Sequence, residues 1–108
     1  MKIGDNFKMN KIVCLCGSTQ FKEEFEEATW EEGLKGNIVL TVCCFTHHDH
    51  LKWTDEQLLI FHDLHKEKIA MADEILVINP DGYIGNTTKE EIGYAGLLGK
   101  MVRYTCEK

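Results

Sequence analysis

Proline is almost absent, with Pro80 alone among 108 residues, and no linker, internal repeat or low-complexity tract divides the chain. The sequence therefore reads as one compact domain, long enough to bury a real core. Long apolar runs are also missing. None approaches the ~20 residues of a membrane span, and the amino terminus lacks the apolar centre of a signal peptide. The expected setting is the cytoplasm, with no membrane partner. Basic residues are the minority, 12 Lys and Arg against 18 Asp and Glu, for a net charge of −6. That balance argues against a nucleic-acid polymer as main partner, because phosphate backbones are bound by basic surfaces. A small anion held by backbone amides is still compatible with it. Both Gly-x-x-x-x-Gly-Lys-Ser/Thr and Gly-x-Gly-x-x-Gly are lacking, so neither a P-loop nor a dinucleotide fold is supported. C-x-x-C and H-x-x-x-H spacings are lacking too, and the expectation is no metal site and no cofactor.

What the chain does have is strands alternating with helices. Ile12 to Cys16 (Ile-Val-Cys-Leu-Cys) is a short apolar run, as in a strand buried on both faces of a parallel sheet. The Gly17-Ser18-Thr19 turn then opens a helix whose Phe21, Phe25 and Ala28 face the core. Glu23, Glu24, Glu26, Glu27, Glu31 and Glu32 read as its solvated side. Gly33 and Gly36 end it, and Ile38 to Cys43 form the second strand. A capping box of Thr54 and Gln57 starts a helix running to about Met71, with Leu58, Leu59, Phe61, Leu64 and Ile69 expected on its buried side. Ile75 to Ile78 is the third strand. Pro80 and Gly82 make a turn, and Thr87 with Glu90 caps a third helix. Met101 to Tyr104 is the fourth strand. Right-handed βαβ crossovers then imply a three-layer α/β fold with a parallel sheet, and four strands fit the order 2-1-3-4. This is the flavodoxin-like (Rossmann-like) arrangement, truncated at its carboxyl end. The open edge at Met101–Tyr104 favours self-association.

In that order the first and third strands flank the switch point, where open α/β sheets bind ligands. The Gly17-Ser18 turn and the loop from Tyr83 to Glu91 then face one crevice. Gly17 allows close approach, and Ser18 with nearby helix amides can hold an anion, or the turn is an ordinary strand-helix connection. Glu91, placed in the first turn of the third helix, is a candidate nucleophile, or an acid favoured there by the helix dipole alone. Gly82 and Gly85 are explained by turn geometry. His62, Asp63 and His65 sit mid-helix, where one of them can point into the crevice. Asp73 is read as a local cap or pair. Tyr83 and Tyr94 can stack on a base or simply pack. The five cysteines read as reduced thiols, with Cys14, Cys16, Cys43 and Cys44 in or beside apolar strands. Cys43, Cys44, His47, His48, Asp49 and His50 form the densest set of potential ligands. Adjacent strand residues diverge, however, so the segment reads as a polar loop over the crevice.

Val13-Cys-Leu-Cys-Gly-Ser18, Ile69-Ala-Met-Ala-Asp-Glu-Ile-Leu-Val-Ile78, and Gly85 through Glu91-Ile-Gly-Tyr-Ala-Gly-Leu-Leu-Gly-Lys100 resemble the nucleoside 2-deoxyribosyltransferase superfamily. That superfamily includes deoxynucleoside 5′-monophosphate N-glycosidases. The resemblance spans most of the chain and implies one domain of this kind over residues 1–108. It implies a homodimer, or an assembly built from dimers, acting on a small-molecule nucleoside or nucleotide. Glu91 matches the family nucleophile, which forms a covalent glycosyl intermediate. Cys16, Gly17 and Ser18 match the loop that approaches sugar or phosphate, and Gly85, Asn86, Thr87 and Thr88 match the loop at the sugar 5′ end. Two positions depart from the family pattern. Its tyrosine before the Gly-Ser pair is Cys14 here, and its helix aspartate falls at His65, with Asp63 half a turn away. Histidine can protonate a leaving base near neutral pH. The alternative implied by these departures is a non-catalytic nucleotide-binding module on the same fold.

Overall fold

The computed structural model describes residues 10–46 and 49–107, so the pair His47–His48 lies outside it. Four parallel strands, β1 (Ile12–Gly17), β2 (Ile38–Leu40), β3 (Glu74–Ile78) and β4 (Met101–Tyr104), pair in the order β2-β1-β3-β4. Helix α1 (Lys22–Leu34) covers one face, and α2 (Asp55–Met71) and α3 (Asn86–Leu97) cover the other. This is the three-layer flavodoxin-like architecture expected. Alternation along β1 sorts the core: Val13 and Leu15 pack with Phe25 and Ala28 of α1, while Cys14 and Cys16 meet Ile69 of α2 and Ala95 of α3. The β1–β3 ladder runs in register from Val13–Glu74 to Gly17–Ile78. At its end a Cβ on Gly17 would lie 2.8 Å from the Ile78 carbonyl oxygen, so only glycine lets the two strands close there.

Several expectations are corrected by the structure. Strand β2 stops at Leu40 rather than Cys43. As an edge strand it has one ladder, and the Thr41 carbonyl instead accepts a hydrogen bond from Lys68 Nζ at 2.7 Å. Cys43 is consequently exposed and Cys44 only partly covered, whereas Cys14 and Cys16 are fully buried. Helix α1 begins at Lys22, not at the Gly17-Ser18-Thr19 turn, and Phe21 precedes it. Glu32 leaves the solvated side: it is buried under α1, bonded to Arg103, Lys35 and Asn37. Helix α2 has its capping box and ends at Met71 as expected, yet it buries only His65 and Ile69. Leu58, Leu59 and Leu64 are exposed, because the shortened β2 gives the first half of α2 no sheet to lie on. Helix α3 starts at Asn86 behind Gly85, with no side-chain cap and no Thr87–Glu90 box, so Glu91 lies in its second turn rather than its first. Asp73 pairs across the sheet rather than locally, accepting from the Ile12 amide at 2.8 Å.

Helix α1 lies over β2, β1 and β3 and leaves that face of β4 without a helix. Arg103 fills the gap, donating to Glu32 at 2.6 Å and to Glu74 at 2.7 Å. Beyond β3, Asn79 is buried and binds the Cys106 amide and carbonyl, both at 2.8 Å, which ties the chain after β4 to the turn at Pro80–Gly82. In that turn Asp81 and Gly82 take φ of 54° and 82°, in the left-handed region that favours glycine.

Candidate functional site

A cavity of about 720 Å³ opens beyond the carboxyl ends of β1 and β3. Its volume falls in the range usual for small-molecule sites. Gly17, Ser18 and Thr19 form one side, and Gly85, Asn86, Thr87, Thr88 and Glu91 form the other. Helix α2 adds His62 and His65. The turn is pinned locally: the Gln20 amide donates to Ser18 Oγ at 3.3 Å, and Thr19 bonds Thr46 at 3.2 Å. By contrast the first turn of α3 has no side-chain cap, which leaves its amides open to a ligand.

Most residues singled out from sequence therefore meet in one place. Cys16 lies just behind the cavity wall, against His65. Asp63 is exposed on α2 and takes no part in the wall. Tyr83 does line it, held edge-to-face by Phe21 at 5.8 Å, whereas Tyr94 packs under Lys66. Sequence reasoning missed an apolar wall made by Trp53 and Phe61, whose rings meet edge-to-face at 5.3 Å, and the cation Lys52 beside it. Their sequence signal is slight: Trp53 stands one residue before the Thr54 cap, in a segment without periodicity.

The chemistry concentrates where α2 and α3 approach β1. Glu91 Oε2 is 3.9 Å from His65 Nε2, with only 13% and 8% of the two side chains exposed. The same Nε2 is 3.5 Å from Cys16 Sγ and 3.8 Å from Cys14 Sγ. His65 Nδ1 has no hydrogen-bond partner among the described residues. Burial pushes the Glu91 carboxyl up from its ordinary value, and the His65 charge only partly opposes this. Burial alone would lower His65, but Cys14 and Glu91 outweigh it and raise the imidazole. A hydrogen bond from Cys16, aided by His65, brings the Cys14 thiol down to about 6 despite its burial. Cys16, as donor to Cys14 and buried, is pushed well up. The arrangement thus holds a carboxylate, an imidazole and two thiols at the edge of a cavity large enough for a nucleoside.

No family model matches the sequence, and no curated protein does either. Among solved structures, the CMP N-glycosidase BcmB of Clostridium botulinum is similar, with 20% identity over 87% of this chain and 70% of that one and a TM-score of 0.60. At that identity the likeness is one of fold.

Proposed function

We propose that the cavity is the active site of a nucleoside deoxyribosyltransferase-like enzyme, cleaving or transferring at the N-glycosidic bond of a deoxynucleoside or its 5′-monophosphate. The observation that carries this reading is the placement of Glu91 and the Gly17-Ser18 turn on one cavity, with His65 beside the carboxylate. The fold likeness to a CMP N-glycosidase supports it. On this reading residues 1–108 are a single domain of that kind. Glu91 attacks the anomeric carbon while the bond to the base breaks, and the base leaves with the bonding electrons. His65 Nε2 gives it a proton. Water or a second base then displaces Glu91, so one hard displacement becomes two easier ones. Asn86, Thr87 and Thr88, at the uncapped start of α3, receive the 5′ hydroxyl or phosphate, and Lys52 adds positive charge. Trp53, Phe61 and Tyr83 supply faces for the base.

The test is chromatographic detection of free base after incubation with deoxynucleosides and their monophosphates. Glu91→Gln is expected to lose at least roughly 10³-fold of the rate, since the residue acts directly on the reacting carbon. Equal release by wild type and variant would remove Glu91 from the mechanism. A second reading, a nucleotide-binding module without turnover, is favoured by Cys14: the thiol at the family tyrosine position is fully buried and offers nothing to a sugar. Thermal stabilisation by nucleotides with no base release would establish that reading instead.

A further inference from the structure

We infer that Cys14, Cys16 and His65 form a binding site for one zinc-class divalent ion, with the fourth coordination position open to the cavity beside Glu91. Sequence spacing alone gave no reason for such a site, because its three members come from a Cys-x-Cys pair and a helix forty-nine residues further on. Strand geometry makes the pair competent. Residues two apart in β1 point to the same face, so both thiols enter the layer under α2. His65 is brought over them by the burial of Ile69, one helical turn later.

The two nitrogen–sulfur distances match those of a tetrahedral metal site. The three ligand atoms lie within 4.8 Å of one another, and Nε2 stands 3.5 and 3.8 Å from the two sulfurs. Tetrahedral zinc, with bonds of ~2.3 Å to sulfur and ~2.0 Å to nitrogen, separates its ligand atoms by roughly 3.5–3.8 Å. Nε2 faces both sulfurs, with the Glu91 carboxylate 3.9 Å away, so a cation placed among them would meet all three ligand atoms and an acidic neighbour. The other ring nitrogen, Nδ1, is buried and has no hydrogen-bond partner among the described residues. Two thiolates and an imidazole select zinc or a similar ion over magnesium or calcium, and a three-residue set with one open position is the form used where the metal meets a ligand. Entry is through the cavity, whose wall includes His65 and Glu91. As the ion binds, two protons leave, from both thiols or from one thiol and the imidazolium. A metal and a proton cannot share Nε2, so the loaded protein lacks the acid assigned to His65. The site itself does not depend on glycosidic chemistry.

Untagged, reduced, metal-free protein is titrated with cobalt(II) without oxygen, then with zinc. One cobalt per chain is expected, with thiolate-to-metal charge transfer in the near ultraviolet, tetrahedral visible bands, and displacement by one equivalent of zinc. The Cys14→Ser/Cys16→Ser variant loses these signals, and the Cys43→Ser/Cys44→Ser/Cys106→Ser variant keeps them. Because the first variant alters two fully buried side chains, zinc X-ray absorption on the wild type reads the ligand set directly, with two sulfurs expected. Absence of the charge-transfer band in wild type, or a zinc shell without sulfur, overturns the site. Base release by metal-free protein is measured separately: release without cobalt binding sinks this inference alone, and cobalt binding without release supports it and counts only against the glycosidic reading.

Discussion

Arg103 is the side chain on which two buried carboxylates depend. Its Nη2 donates to Glu32 at 2.6 Å and its Nε to Glu74 at 2.7 Å, from a position one-third exposed. Arg103→Met keeps much of the volume and leaves both acids without their main partner. The expected loss is about 2–4 kcal/mol in urea unfolding, below the fully buried case because Arg103 reaches solvent. Arg103→Lys should recover only part, since one ammonium cannot reproduce the two-pronged guanidinium. The pH dependence follows from Glu32. Burial raises its carboxyl, but hydrogen bonds from Arg103, Lys35 and Asn37 prevail and hold it at about 2, down from 4.5. A carboxyl depressed on folding stabilises above its ordinary value, and that contribution fades as pH falls from 4.5 through about 2. Acid unfolding of wild type should therefore show a component in that window that is missing from Glu32→Gln. The sequence held half of this. Glu32 continues the buried stripe Phe25–Ala28 at helical spacing, but its charge placed it with the acidic neighbours. Its partner lies 71 residues away, and no local rule names it.

Helix α2 shows what an element discloses and what it hides. Its start was legible because capping chemistry is local: Thr54 Oγ accepts from the Gln57 amide at 3.1 Å, and the Gln57 side chain accepts from the Thr54 amide at 2.9 Å. Thr54→Ala should cost about 1 kcal/mol and speed hydrogen exchange of the first-turn amides, with the cavity-forming half of the helix affected before Ile69. Its inward face was not legible. Leu58, Leu59, Ile60, Phe61 and Leu64 surround the helix, so periodicity cannot choose a side, and the choice is made by how far β2 extends beneath. The turn of α2 that brings His65 over Cys14 and Cys16 was hidden for the same reason. Helix α3 erred by less. Asn86, Thr87 and Thr88 are all residues that begin helices, and the true cap two residues earlier, at Gly85, moves Glu91 into the second turn while leaving it on the cavity. The crevice itself followed from the expected strand order, which the alternation of elements allows and the β2-β1-β3-β4 sheet has.

For the molecule as a whole, the unsupported half of α2 leaves Leu59, Ile60 and Leu64 at 62%, 55% and 44% exposure. None of the described helices is long and apolar enough to cross a membrane. We propose a second copy of the chain as the occupant of this surface. Multi-angle light scattering should give twice the chain mass for wild type and the chain mass for Ile60→Glu/Leu64→Glu. A wild type that stays at chain mass at high concentration would contradict that assembly. The substitutions lie outside the cavity wall, so any change in ligand binding would report what the partner contributes.

The early stop of β2 has a further consequence. Beyond Leu40 the described residues leave the sheet, and Val42, Cys43, Cys44, Leu51 and Trp53 among them line the cavity. None of the described residues there pairs in the sheet, whose β1–β2 register ends at Leu40. Insertions or replacements there can reshape the entrance while the strands keep their alignment, so a small scaffold of this kind can acquire a new ligand repertoire by editing one segment.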